Sequence, residues 1–243
     1  MKGRKIFMAN TYASYAPEAY SLETVNTLFR KVYQYMALGL ILTSLAAYFT
    51  ASSSFMLSLL FTSRAPMIVI ALAEVGLVIW LGAGISKISA GTARTLFLLY
   101  SILNGILCSA VLLVYTSESV YKAFLSTAGM FGAMSIYGLY TKRDLTGMGS
   151  FLRMGLFGLI IAMVINMFVG SSMAELYISI FGIIIFMGLT AYDTAKIKEM
   201  AYSFEGTDDE MTGKIAVLGA LSLYLDFINI FLYLLRLFGR ERN

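Results

Sequence analysis

The segment Lys214 to Gly239, KIAVLGALSLYLDFINIFLYLLRLFG, is long enough to cross a bilayer as a helix, yet it carries Asp226 near its middle. Its small and polar residues are not scattered. Gly219, Ser222, Asp226, Asn229, Tyr233 and Arg236 recur at spacings of three, four, three, four and three. On an α-helix that spacing draws a single stripe, and Leu, Ile, Phe and Val cover the rest of the circumference. Such a helix faces lipid on most sides but turns one seam toward protein or water. An ionised carboxylate at mid-bilayer costs roughly 3 kcal/mol on insertion scales, so Asp226 marks function by default. The remaining segments have to supply its surroundings.

Those segments are hydrophobic too. Of the 243 residues, 59% are hydrophobic and 13% are charged, about half the charged share of a soluble domain. The pattern predicts an all-α integral membrane protein with seven spans, at about 32–51, 66–86, 95–115, 120–140, 151–169, 175–197 and 213–237. Spans and loops leave no room for a separate soluble domain. The expected organisation is a polar N-terminal tail over 1–30, a membrane domain over 31–239 and a basic tail over 240–243. From Ser21 onward Leu22, Val25, Leu28 and Val32 share one helical side, which reads as an interfacial lead-in to the first span. MKGRKIF has a charged start but no apolar core of signal-peptide type. Neither Pro17 nor Pro66 falls inside a span, so proline-broken transporter helices are not indicated.

Composition also excludes chemistry. Cys108 is the one cysteine and histidine is absent. Cysteine metal sites, intramolecular disulfides, histidine catalysis and histidine pH switches all fall away. The net charge of +4 comes from basic residues dispersed beside spans, a loop bias rather than a nucleic-acid footprint. With the N-terminus cytoplasmic, Lys2, Arg4, Lys5, Arg30, Lys31, Lys87, Arg94, Lys142, Arg143, Arg153, Lys196, Lys198 and Lys214 lie inside. Arg64, Lys122, Arg236, Arg240 and Arg242 lie outside, so N-in is preferred. The alternative is a last segment that re-enters instead of crossing. In the sixth loop, Asp208, Asp209 and Glu210 lack the alternating ligands and glycine of an EF-hand and read as acids at the start of the last helix. Ala128, Gly129, Gly132 and Ala133 suggest close helix contacts in the fourth span.

Three acids fall within hydrophobic segments: Glu74, Asp193 and Asp226. Glu74 invites an ion pair with Arg236, provided the two helix ends coincide. Asp193 lies three residues before Lys196, as an interfacial residue would. If Asp193 and Asp226 approach each other, they cannot both ionise cheaply in a low-dielectric site, and the pair shares a proton. It is also a hard-oxygen site suited to calcium, so protons and calcium would compete for it. Asp193 reads nearer its helix end than Asp226, a mismatch that shrinks if the sixth helix continues to about Tyr202.

ALSLYLDFINIFLYLLRLFG, with AYDTAKIK before it and RKVYQYMALGL at the first span, resembles the bacterial members of the Bax inhibitor-1 family over essentially the whole chain. The resemblance implies six helices enclosing a central seventh, in the bacterial inner membrane. It implies a pH-sensitive calcium leak gated by an aspartate pair, here Asp193 and Asp226, which would also be the metal ligands. Glu74 and Arg236 correspond to a supporting ion pair, and Ser222, Asn229 and Tyr233 belong to the polar seam. Beyond lipid, calcium and protons, the alternative partner is a membrane-bound ATP-dependent protease or stress-response complex, modulated without conduction; no other cofactor is implied. Some members carry a latching arginine that this chain replaces with about Ile85, with Lys87 close by. An intramembrane aspartyl protease would need a GxGD motif and a PAL tripeptide. This chain reads Leu223-Tyr224-Leu225-Asp226, so an enzyme is not expected.

Overall fold

The computed structural model describes residues 18–63, 65–203 and 209–242; much of the expected tail over 1–30, together with Asp208, lies outside them. The described residues form eight α-helices: α1 Glu18–Ser52, α2 Ser54–Phe61, α3 Ala65–Gly84, α4 Ala90–Val114, α5 Ser117–Tyr140, α6 Thr146–Val169, α7 Ser172–Ser203 and α8 Asp209–Phe238. A short 3-10 turn, Ile85–Lys87, joins α3 to α4. Local chemistry sets the ends. Ser53, Ser89 and Thr116 accept hydrogen bonds from backbone N–H groups in the first turns of α2, α4 and α5, as N-caps do. Gly170, at φ +66°, terminates α6 where a side chain would be strained.

Six helices (α1, α3, α4, α6, α7 and α8) are long and apolar enough to cross a membrane. The other long one, α5, has the length but is diluted by Ser126, Thr127, Ser135, Tyr137 and Tyr140. Contacts sort the helix ends into two groups. At one end Lys31 pairs with Asp209 at 3.6 Å, Glu210 accepts from the Ala90 amide at 2.7 Å, and Lys198 donates to the Leu139 and Thr141 carbonyls. At the other, the chain after α8 is laid along the α4–α5 turn. The Thr116 amide donates to Arg240, the Arg242 amide to Val114, and Tyr115 bridges to Glu241. The last helix therefore runs the full height of the bundle.

Burial is uneven. Two-thirds (67%) of the apolar window of α8 is buried, against 11% for α3 and α6 and 39% for α7. The start of α1 differs from the expected interfacial lead-in. Val25, Leu28, Phe29 and Val32 are buried in the same cluster as Ile197, Ala201 and Ile215, so this stretch packs on α7 and α8. The fourth-span stripe also differs. Gly129 and Gly132 face open space, and Ala128 and Ala133 are exposed. The packing face of α5 is instead Ala123, Thr127, Phe131, Ser135 and Gly138. At Gly138 a Cβ would collide with the Ala191 carbonyl of α7. At Gly105 of α4 it would stand 2.5 Å from the Thr43 carbonyl of α1.

Candidate functional site

The site is set by how α7 and α8 pass each other. Gly182 lies under the Tyr233 ring and Ile197 against Gly219. Between these contacts, Thr190 lies beside Asp226 and Ser222 beside Asp193. Each advance along α7 is matched by a retreat along α8, the signature of an antiparallel pair in constant register. Asp193 and Asp226 thus come within electrostatic reach of each other, one turn apart on opposed helices. The depth mismatch disappears because α7 continues to Ser203, which leaves Asp193 well inside its helix.

Both acids line a cavity of about 610 Å³ between α3, α4, α6, α7 and α8. The seam of α8 opens onto it through Ser222, Asp226, Asn229 and Tyr233, and Glu74 of α3 faces it from the other wall. Val78, Phe186 and Leu189 supply apolar lining. Asp226 is only 3% exposed, and its Oδ2 has no hydrogen-bond partner among the described residues. Asn229 spends its amide on the Leu225 carbonyl at 2.8 Å, and the Tyr233 hydroxyl points to the Met163 sulfur at 3.3 Å. A buried carboxylate oxygen left without a donor is costly, so this cavity favours a proton, water or a cation beside Asp226.

The expected Glu74–Arg236 ion pair is not formed. Arg236, in the last turn of α8, lies 3.4 Å from Glu175 in the first turn of α7, with its guanidinium over the Tyr233 ring. Glu74 accepts instead from the Asn104 side-chain amide at 3.4 Å, and its Oε1 has no partner among the described residues. Depth separates the two residues. At 1.5 Å per residue Glu74 stands about 14 Å from the end of α3 on that side, while Arg236 is within about 3 Å of the end of α8.

Ile85 and Lys87 do not line the cavity; the basic residues that do are Arg153 of α6 and Lys196 of α7. Arg153 donates to the Tyr192 hydroxyl at 3.2 Å and to Ser150 at 3.4 Å. The Tyr192 ring lies against Gly149, where no Cβ would fit. Sequence reasoning counted Arg153 as a flanking charge. Its place three residues after Ser150 in the first turns of α6 was the available clue. A second omission is Tyr224, fully buried on another face of α8. Its ring stands edge-on to Phe97 and Tyr100, and its hydroxyl meets Thr43 at 2.6 Å and Asn104 Oδ1 at 3.1 Å.

These features define a helical, multi-pass membrane protein whose last helix carries a buried acid that shares a cavity with a second acid. A family profile described as "Inhibitor of apoptosis-promoting Bax1" matches residues 25–243. The inner membrane protein YbhL of Escherichia coli K12 is 46% identical over 218 residues, covering 90% of this chain and 93% of that protein. A protein of Borreliella burgdorferi is 44% identical, with 90% and 94% covered. A membrane protein of Streptococcus pyogenes is 37% identical over 220 residues, with 89% and 94% covered. The chain belongs to the Bax inhibitor-1 family.

Proposed function

We propose that this protein is a pH-sensitive calcium leak of a bacterial inner membrane. Seven helices cross, α8 is enclosed by the other six, and the N-terminus is cytoplasmic. The observation that carries the reading is the convergence of Asp193 and Asp226 on one cavity, with an Asp226 oxygen left unpartnered. Two carboxylates in a dry site share a proton more readily than they both ionise. When both are ionised they attract a divalent cation, so protons and calcium compete for one place. The oxygens at hand are those of Asp193, Asp226, Ser222 and Asn229. Calcium takes six to eight oxygen ligands in a tight site, and no cluster of three His, Cys, Asp or Glu capable of holding a metal occurs among the described residues. A sparse donor set suits an ion in transit better than one in storage. The enclosure of α8 is supported by its burial, the membrane by the name of the E. coli relative, and the orientation by the excess of Lys and Arg at one end.

Calcium flux into liposomes holding the pure protein, measured at pH 6, 7 and 8, tests the reading. Wild type should conduct with a pH-dependent rate. Asp193→Asn and Asp226→Asn should each change the rate and flatten its dependence on pH. Absence of flux from folded wild type at every pH would defeat the leak and turn attention to a non-conducting role with a co-purifying partner.

A further inference from the structure

On the far side of α8 from the aspartates lies a second cavity of about 440 Å³, between α1, α4, α5 and α8. Thr43, Ser44 and Cys108 line it toward the middle of the bundle, with Thr43 buried and Ser44 exposed, and Ser117 and Tyr121 line it near the Arg240 end. No charged residue lines it among the described residues. The acid cavity, by contrast, reaches toward the lysine-rich end through Lys196 and Arg153. Four side chains join the two cavities. Glu74, on the wall of the first, accepts from Asn104. Asn104 Oδ1 accepts from Tyr224, and the Tyr224 hydroxyl meets Thr43, on the wall of the second. All four are buried, Tyr224 completely.

Depth and chemistry both single out this string. At 1.5 Å per residue, Thr43, Glu74 and Asn104 each lie about 14–15 Å from the Arg240 end of their helices. That is mid-depth in a hydrocarbon core of about 30 Å. The string is also rich in acceptors and poor in hydrogens. Tyr224 has one hydroxyl proton for two oxygens. Thr43 has one for the Gly39 carbonyl, the Ser101 carbonyl and Tyr224. Glu74 Oε1 has none. Such a set of oxygens has unspent acceptor capacity that a cation or a donating water satisfies and an anion does not. Buried polar side chains at mid-membrane otherwise cost stability, and by default they mark ion pathways.

We propose that Glu74, Asn104, Tyr224 and Thr43 form the constriction of a two-vestibule cation route, with the acid cavity on one side and the α1/α4/α5 cavity on the other. The proposal rests on the leak reading and extends it from a site to a path. A cation leaving the aspartates passes Glu74, displaces the hydrogen bonds around Asn104 and Tyr224, and emerges beside Thr43 and Cys108.

The chain's sole cysteine supplies the probe, since Cys108 lies in the second vestibule with its thiol 3.5 Å from Asn104 Oδ1. Silver ion, a thiol-seeking cation, would be added in chloride-free buffer to liposomes conducting calcium. The expected result is at least a tenfold fall in wild-type flux, with Cys108→Ala conducting and insensitive to silver. Thr43→Val keeps the shape of the side chain but removes its hydroxyl, and should lower flux severalfold in protein that elutes and melts as wild type does. Flux that neither silver nor Thr43→Val alters would overturn the constriction while leaving the leak standing. Absence of wild-type flux would overturn both.

Discussion

Glu74 and Asp226 are both buried acids on the wall of one cavity, and each has a carboxylate oxygen without a partner among the described residues. Their company differs. Glu74 leans on a neutral network of Asn104, Tyr224 and Thr43 that ties α3 to α4, α8 and α1. Asp226 looks across at another carboxyl and two hydroxyl-bearing residues of α7 and α8. The same functional group is thereby given two duties. At rest, a neutral hydrogen-bonded network holds one acid in place. The other has a second carboxyl for its neighbour.

The comparison can be broken most severely at Tyr224. Tyr224→Ala removes a fully buried ring and should cost about 3–5 kcal/mol, as large core truncations do, read by denaturant unfolding in detergent. A loss under about 1 kcal/mol, less than a single deleted buried hydrogen bond costs, would mean that packing does not hold the Glu74 side. Asn104→Leu comes next. It strips Glu74 of its donor and should cost about 1–3 kcal/mol. Adding Glu74→Gln to that variant should return part of the loss, because the buried group no longer carries a charge. Asp226→Asn should be neutral or stabilising by up to about 1 kcal/mol at pH 7, since a neutral amide stands where the pair would otherwise have to hold a shared proton. A loss above about 2 kcal/mol would place Asp226 in the same fixed class as Glu74.

The smallest effect belongs to an acid outside the membrane, which serves as the reference. Asp144 precedes α6, and the Thr146 hydroxyl and amide hold its carboxyl below the usual carboxylate range. A depressed folded value means that its stabilisation is present above about pH 4 and fades as pH falls further. Asp144→Ala should melt slightly below wild type at pH 7. The difference should shrink as pH falls below about 4 and vanish once the carboxyl is protonated in the folded chain as well as the unfolded one.

Much of this was legible before any coordinates. The spacing of Ser222, Asp226, Asn229 and Tyr233 named one face of α8, and those four residues do line one cavity. Helical periodicity reports which side chains share a face, and α8 is regular throughout. What periodicity does not report is which helix that face meets, or at what depth. Arg236 met Glu175 rather than Glu74 because ion pairing depends on height in the bundle. Glu175 escaped notice because it stands at the start of α7, where acids are ordinary. Tyr224 was hidden for a different reason. In a run of Leu and Phe a tyrosine reads as bulk, and its hydroxyl matters only once Thr43 and Asn104 are beside it. The glycines of α5 teach the same point. Gly129 and Gly132 permit a close approach that no neighbour makes, while Gly138 accepts one.

The burial of α8 has a consequence for biosynthesis. The most buried of the six apolar helices leaves the ribosome after the seven described helices that precede it. Until it arrives, Thr43, Asn104 and Asp193 lack the neighbours that α8 supplies, Tyr224 and Ser222. In lipid such groups cannot turn to bulk water for relief. The nascent bundle is therefore a mould whose polar lining waits for its casting, and the partly made protein has little to gain by settling early. The strand-like seal of residues 240–242 on the α4–α5 turn closes that mould behind α8.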